Sequence, residues 1–320
     1  VCRDYLGAGS TDVWTLWRCR DCASLFLDPR PDDDSIPLTY QGYYTHRPPT
    51  ATATGSFLSR ILWRVINDYL TQKFGMENLS RYRGGRWLCG LLLPLRFKLD
   101  YYGRHLFVRD FPNKGTLLDV GCGNGEFLLL ARQMGWRALG VEPDLQAAKA
   151  CQEQGLTVFA GMIDSVPAAL NATIDVVTLS HCAEHVVDLR DLLTHAHRLL
   201  RPNGRIWLAL PNPEGPGIKV FGKAWRGLEP SRHLCIPSQR QLQTILGECG
   251  FADARAVRRG AHGKTITKES ARIARLDPST PTRFIAWMAV PVRLLASLAG
   301  TISARWGEET VMTARKRSAC

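Results

Sequence analysis

The sequence contains no low-complexity tract, no acidic excess and no unbroken apolar run long enough to cross a bilayer. The first absence, with 45% hydrophobic residues over 320, excludes a disordered chain and leaves room for one large core with appendages. The most apolar stretch, residues 284–302, is broken near its centre by Pro291 and Arg293. It therefore reads as a helical hairpin rather than a spanning helix. Ten cysteines spread over this length are too sparse for a secreted disulfide scaffold, so the expected compartment is a reducing cytoplasm. No secretory leader is visible, but the chain opens at Val1 and that absence weighs little. Positive charge is in excess. A net +12, carried more by arginine than by lysine, favours anionic partners: phosphorylated or nucleotide-linked small molecules, acidic glycans, anionic lipid or nucleic acid.

A missing glycine narrows the chemistry of the central motif, Thr116-Leu-Leu-Asp-Val-Gly-Cys-Gly-Asn-Gly-Glu126. Leu117, Leu118 and Val120 read as a buried strand, and a helix opens at Phe127. Gly121, Gly123 and Gly125 between them let backbone amides approach a ligand closely. A dinucleotide-binding turn needs a further glycine where Glu126 stands. Carboxylates at Glu126 and Asp119 would repel a pyrophosphate and suit a ligand with a cationic end.

This segment resembles the first motif of class I S-adenosylmethionine (SAM)-dependent methyltransferases, whose cofactor carries an ammonium and a sulfonium but no phosphate. The resemblance implies that Asp119, Gly121, Cys122, Gly123 and Gly125 bind the cofactor. Glu142 ends the apolar run Ala138–Val141, where an acidic side chain accepts both ribose hydroxyls, with Pro143 beside it. After the next strand, Asp164 is implied to face the adenine amino group, with Ser165 as the neighbouring option.

From residue 115 onward, strands and helices alternate. Strands are expected at 156–159, 174–179 and 205–210, and helices over 144–154 and 189–200, the second ended by Arg201-Pro-Asn-Gly204. Such alternation means a mostly parallel, doubly wound, Rossmann-like α/β sheet with ligands at the strands' carboxyl ends. A helix at 238–249 and an edge strand at 251–257 follow. The resemblance makes 307–316 the closing antiparallel strand. The expected division is a cysteine-marked module at 1–48, linker and helical cap at 49–110, SAM-binding core at 111–261, helical insertion at 262–305, and closing strand and tail at 306–320. In the cap, 56–74 forms one apolar helical face with Ser56 as N-cap, and Trp87 to Leu106 forms a second, basic amphipathic stretch. These helices read as a cap, with a membrane-surface role as the rival.

The first module carries Cys19-Arg-Asp-Cys22, a spacing that grips one tetrahedral zinc, but only Cys2 is present upstream. With its Pro-rich continuation it resembles the zinc ribbon that precedes some methyltransferase domains. Cys2, Cys19 and Cys22 are thus the candidate metal ligands, with reduced, buried cysteines as the alternative.

His181, Glu184 and His185 spell H-x-x-E-H, an inverted zinc-protease signature. That motif needs a helix, and here it leaves a strand, so the protease reading is set aside. The methyltransferase resemblance puts Ser180 and His181 nearest the transferable methyl, with Glu184 and His185 orienting the loop. It also matches the acceptor-side loop around Pro230-Ser-Arg-His-Leu234. There His233 is the candidate general base, and Arg232 or Arg226 would clamp an anionic acceptor.

The expected activity is methyl transfer from SAM to oxygen or carbon of a small-molecule, sugar or glycan-type acceptor, with possible structural zinc as a second cofactor. Rivals are quinone or lipid O-methylation at a membrane surface, and an RNA-modifying or nucleic-acid-binding protein. The last is disfavoured because no basic, aromatic-interleaved strand pair is present.

Overall fold

The computed structural model describes residues 2–4, 12–32, 34–40, 57–77, 79–259, 263–277, 291, 294 and 299–318. The linker that opens the 49–110 segment, the Ser56 cap and most of the apolar stretch 284–302 lie outside these residues. Four short strands open the chain: β1 (Cys2–Arg3), β2 (Val13–Trp14), β3 (Leu16–Arg18) and β4 (Leu25–Leu27). The cap consists of α1 (Phe57–Phe74), α2 (Gly85–Leu91) and α3 (Leu93–Tyr102). The single stretch expected over Trp87 to Leu106 is therefore two helices. The chain leaves the helical region at Leu92, just before Pro94, whose ring enters the first turn of α3.

The core follows as β5 (Thr116–Val120), α4 (Glu126–Gln133), β6 (Arg137–Glu142), α5 (Leu145–Glu153), β7 (Thr157–Ala160), β8 (Ile174–Ser180), α6 (Leu189–Leu199) and β9 (Leu200–Pro211). Next come α7 (Pro216–Phe221), β10 (Cys235–Ile236), α8 (Gln239–Glu248), β11 (Phe251–Ala256), α9 (Gly263–Leu276) and β12 (Glu309–Lys316). The Arg201–Gly204 stop is absorbed into β9, where the register against β8 shifts and Asn203 takes a positive φ. Asp144 caps α5 by accepting from Ala147 N, and Asp188 caps α6 by accepting from Arg190 N and Asp191 N.

Seven strands form one sheet in the order β11-β12-β9-β8-β5-β6-β7. β5, β6, β7, β8 and β9 pair in parallel, while β12 runs antiparallel between β9 and β11. Strand alternation sorts side chains between two helical layers. Leu118 and Val177 pack with α6 and α8, whereas Leu117 and Val176 pack with α1 and α4. The chain winds outward from β5 to β7 and returns to β8 on the other side of β5. The carboxyl ends of β5 and β8 therefore flank the crevice where a ligand belongs.

The amino-terminal module does not stand apart from the core. β10 pairs with β4, so a core loop supplies one strand of the three-stranded sheet β10-β4-β3. Leu27 N donates to Leu234 O, Ser238 N to Ser24 Oγ, and Arg18 Nη2 to Pro213 O. α9, the described start of the insertion, packs on α7 and on the turns at 222–228, where Arg226 N donates to Ser270 Oγ.

Candidate active site

The glycine loop leaves β5 with Gly121, Gly123 and Gly125 all at positive φ. A Cβ on Gly125 would also meet Leu156 Cδ1 at 2.6 Å and Cys151 Sγ at 2.9 Å, so glycine is required there on two counts. Gly121 N and Cys122 N donate to Val141 O, which binds the loop to β6. Cys122 is buried, and burial raises its thiol well above the usual range, so it packs rather than reacts.

Glu142, buried at the end of β6, accepts from Gly123 N at 2.7 Å and Asp144 N at 3.1 Å. Its carboxylate thus holds the glycine loop against the start of α5. Pro143 is exposed beside it, and Met162 and Asp164 are exposed after β7, the neighbouring strand. Ser180 ends β8. The residues expected to bind a cofactor therefore share the carboxyl edge of β5, β6, β7 and β8.

One expectation needs correcting. Asp119 is not an unbalanced anion awaiting a cationic ligand, because Arg104 pairs with it directly. Arg104 Nη1 also donates to Thr178 Oγ1 at 2.7 Å, and that hydroxyl donates to Asp119 Oδ1 at 2.8 Å. The guanidinium lies 3.4 Å from the Phe127 ring centroid. Burial pushes the Asp119 carboxyl up, and Arg104 and Thr178 oppose the shift. Arg104 stands in the predicted basic stretch, but nothing in that stretch marks it as the partner of a residue in another element.

A second polar group lies at the end of β8. His181, itself at positive φ, is exposed, with Glu184 Oε1 3.3 Å from Nδ1 and Glu309 Oε1 3.2 Å from Nε2. Desolvation works against its charge, but Tyr101 and the two carboxylates outweigh it and hold His181 well above the ordinary imidazole range. Tyr101 Oη is 3.5 Å from Nε2, and Arg259 covers the Tyr101 ring while pairing with Glu309. Tyr101, Arg259 and Glu309 come from three separate elements, and no local pattern announces them.

His233 is buried behind this group. Its Nδ1 faces Gly227 O at 2.9 Å, and its Nε2 faces Glu229 at 3.6 Å and Glu184 at 4.0 Å. Burial and the adjacent His185 push it down to about 4, so the ring is neutral at ordinary pH. Arg226 and Arg232 are not open anion clamps. Both pair with Glu229, and Arg232, fully buried, also pairs with Asp4 and donates to Thr39 O.

The expected zinc ligands are not gathered. Cys2 is buried in β1, its Sγ 3.7 Å from Trp14 O, and burial raises the thiol to about 11. Cys19 and Cys22 flank the β3–β4 turn, where Ser24 and Cys19 lower the Cys22 thiol. No set of three ligands that includes Cys2, Cys19 and Cys22 comes within metal-binding reach among the described residues.

A sheet of this order with a reversed penultimate strand, a three-glycine turn and an acidic β6 end defines the class I SAM-dependent methyltransferase fold. Residues 99–255 match the family described as methyltransferase domain, and the chain carries that domain. It is similar to a ubiquinone biosynthesis O-methyltransferase of Pseudomonas paraeruginosa, 31% identical over 39% of this chain and 60% of that protein. It is 26% identical to a malonyl-[acyl-carrier protein] O-methyltransferase of Serratia marcescens over 46% of this chain and 62% of the relative. The match to nocamycin O-methyltransferase of Saccharothrix syringae is 41% identical over 32% of this chain and 40% of the relative. The aligned part thus spans about 60% or less of these relatives' lengths. A solved SAM-dependent methyltransferase from Archaeoglobus fulgidus aligns over 71% of this chain and 99% of its own, at 20% identity and a TM-score of 0.45.

Proposed function

We propose that this chain moves a methyl group from SAM to an oxygen or carbon of a small-molecule or glycan-type acceptor. The observation that carries the reading is the positive-φ glycine loop fastened by Glu142, a turn without side chains at three positions beside a buried strand-end carboxylate. SAM, when bound, supplies a methyl carbon already activated on a sulfonium. The chain's part is to bind, align and exclude water. The glycine loop, where three missing side chains allow close approach, and Glu142 hold the nucleoside, Pro143 and Met162 offer apolar surface to the base, and Asp164 meets its amino group. Arg104, held in place by Asp119 and Thr178, receives the carboxylate of the methionine portion. His181 and Tyr101 face the acceptor, and His233 belongs to the buried group behind them that deals with the acceptor's proton. Oxygen is the favoured atom, since the three relatives above are named as O-methyltransferases.

Calorimetry with SAM, its demethylated product and NAD tests the cofactor. Heat from the first two is expected, weakened roughly tenfold or more in Glu142→Gln. Heat from NAD alone would sink the reading. A turnover screen over nucleotide sugars, quinone precursors and lipid-linked glycans then assigns the acceptor.

One feature favours action at a membrane surface. No helix among the described residues is long and apolar enough to cross a bilayer. Yet Trp87, Leu88, Leu91, Leu92 and Leu93 stand exposed at the α2–α3 elbow, Leu91 at 79%, with Arg83, Arg86 and Lys98 exposed around them. Apolar side chains ringed by cations suit the interface of an anionic bilayer.

A further inference from the structure

The H-x-x-E-H segment, set aside as a protease signature, reappears in the fold with a different partner. One ligand atom each from Glu184, His185 and His233 lies within 4.8 Å of the other two. His181, the first histidine of the motif, meets Glu184 through Nδ1 and Glu309 and Tyr101 through Nε2, and stays outside this set.

The hydrogen bonds fix which ring atoms carry lone pairs. A backbone carbonyl can only accept, so His233 Nδ1 donates its proton to Gly227 O at 2.9 Å, and His185 Nδ1 donates to Arg232 O at 3.1 Å. With each Nδ1 so engaged, Nε2 is the ring nitrogen that can serve as a ligand atom. A backbone carbonyl holding the far nitrogen is the support that metal-bound histidines ordinarily have. His233 Nε2 faces Glu229 Oε2 at 3.6 Å and Glu184 Oε1 at 4.0 Å, both beyond hydrogen-bond length. Glu229 bonds Arg226 and Arg232 through its two oxygens. Glu184 is fully buried; its Oε1 meets His181 Nδ1, and its Oε2 has no hydrogen-bond partner. A buried carboxylate oxygen without a hydrogen bond is costly unless a cation is there, and a ligand atom of each imidazole lies within 4.8 Å of this carboxylate.

The frame is also rigid. Glu184 O accepts from Leu234 N at 2.8 Å, so the loop carrying Glu184 and His185 is bonded directly to the loop carrying His233. The two imidazoles lie 4.7 Å apart at 74°.

We propose that Glu184, His185 and His233 bind a divalent first-row transition-metal ion of the zinc, manganese or iron(II) kind. Two imidazoles and one carboxylate are a donor set for such ions rather than for calcium or magnesium alone. Three protein ligands leave a coordination position for water or for an acceptor oxygen, whose proton a bound cation makes easier to lose. That last role rests on the methyl-transfer reading; the binding of the ion does not.

The test uses the full chain, stripped with a chelator and titrated with Co2+ alone, with SAM calorimetry on the same sample. Expected are one bound Co2+ per chain with visible d–d absorption but no near-ultraviolet thiolate band, and a raised melting temperature. His185→Gln and Glu184→Gln, checked for folding by circular dichroism, should each weaken Co2+ by more than about 100-fold, beyond the ~10–100-fold lost with a merely supporting residue. Cys19→Ser with Cys22→Ser should leave the absorption unchanged. Bound cobalt that shows a thiolate band, or that vanishes in the double serine variant, overturns the proposal. Intact SAM heat with no bound cobalt overturns the metal site while leaving methyl transfer standing. Cobalt bound as expected without SAM heat supports the site and removes the methyl-transfer reading.

Discussion

Asp4 and Arg232, 228 positions apart, form a two-point ion pair: Nη1 reaches Oδ2 and Nη2 reaches Oδ1, both at 2.9 Å, and both side chains are buried. The pair joins the amino-terminal module to the loop that carries His233. Asp4→Asn leaves a buried guanidinium short of one charge partner, and chemical unfolding should show a loss of about 3 kcal/mol. Arg232→Met removes a partner of buried Glu229 as well as of Asp4, so it should cost more than Asp4→Asn. An Arg232→Met variant no worse than Asp4→Asn would refute the electrostatic account.

Gly125→Ala should be far worse than its size implies. The φ of +76° costs about 1 kcal/mol for any residue with a Cβ, and overpacking against Leu156 and Cys151 adds ~1–3 kcal/mol. Denaturant unfolding should report a loss of about 2–4 kcal/mol. A loss below ~1 kcal/mol would mean the loop is far more adaptable than its contacts indicate.

Most of the sheet was legible because each strand is a short apolar run bounded by a turn, as at Leu117–Val120 and Ile174–Leu179, and both carry the alternation that feeds two helical layers. The glycine loop and Glu142 were legible because backbone geometry demands those residue types at those places. The Arg104–Asp119 pair was not, because an ion pair between a cap segment and a strand leaves no local spacing to read. The cluster of Glu184, His185 and His233 was half visible: the motif stood in the sequence, but its second histidine partner comes from a loop beyond β9. The cap was misjudged at Leu92, where Pro94 splits one expected stretch into α2 and α3.

The α2–α3 elbow gives a prediction about lipid. Trp87→Asp with Leu91→Asp removes the two most exposed large apolar side chains of the elbow and adds two negative charges. Flotation with vesicles containing phosphatidylserine should recover the parent chain and lose the variant. Salt should weaken the parent's binding, as expected for cations near an anionic surface. Equal flotation of both proteins, or of neither, would remove the membrane reading.

Glu308 gives a pH signature that can be separated from the site chemistry. Its carboxyl is buried, and burial raises it from 4.5 to about 7 against the opposing hydrogen bond from Trp225 Nε1 at 3.0 Å. Between those two values the folded chain keeps a proton that the unfolded chain has lost. Folding therefore takes up protons, and stability falls as pH rises through this window and levels off above it. A shift of this size corresponds to on the order of 3 kcal/mol. His105 works in the other direction: it is buried and pushed down to about 4, so stability is lost as pH drops below the imidazole's ordinary 6.5. The two slopes overlap, and only a difference between variants isolates one. Glu308→Gln keeps an oxygen for Trp225 and cannot ionise. Unfolding at pH 5 and pH 8 should find the variant gaining on the parent chain as pH rises; a constant difference between them would show that Glu308 stays ionised throughout.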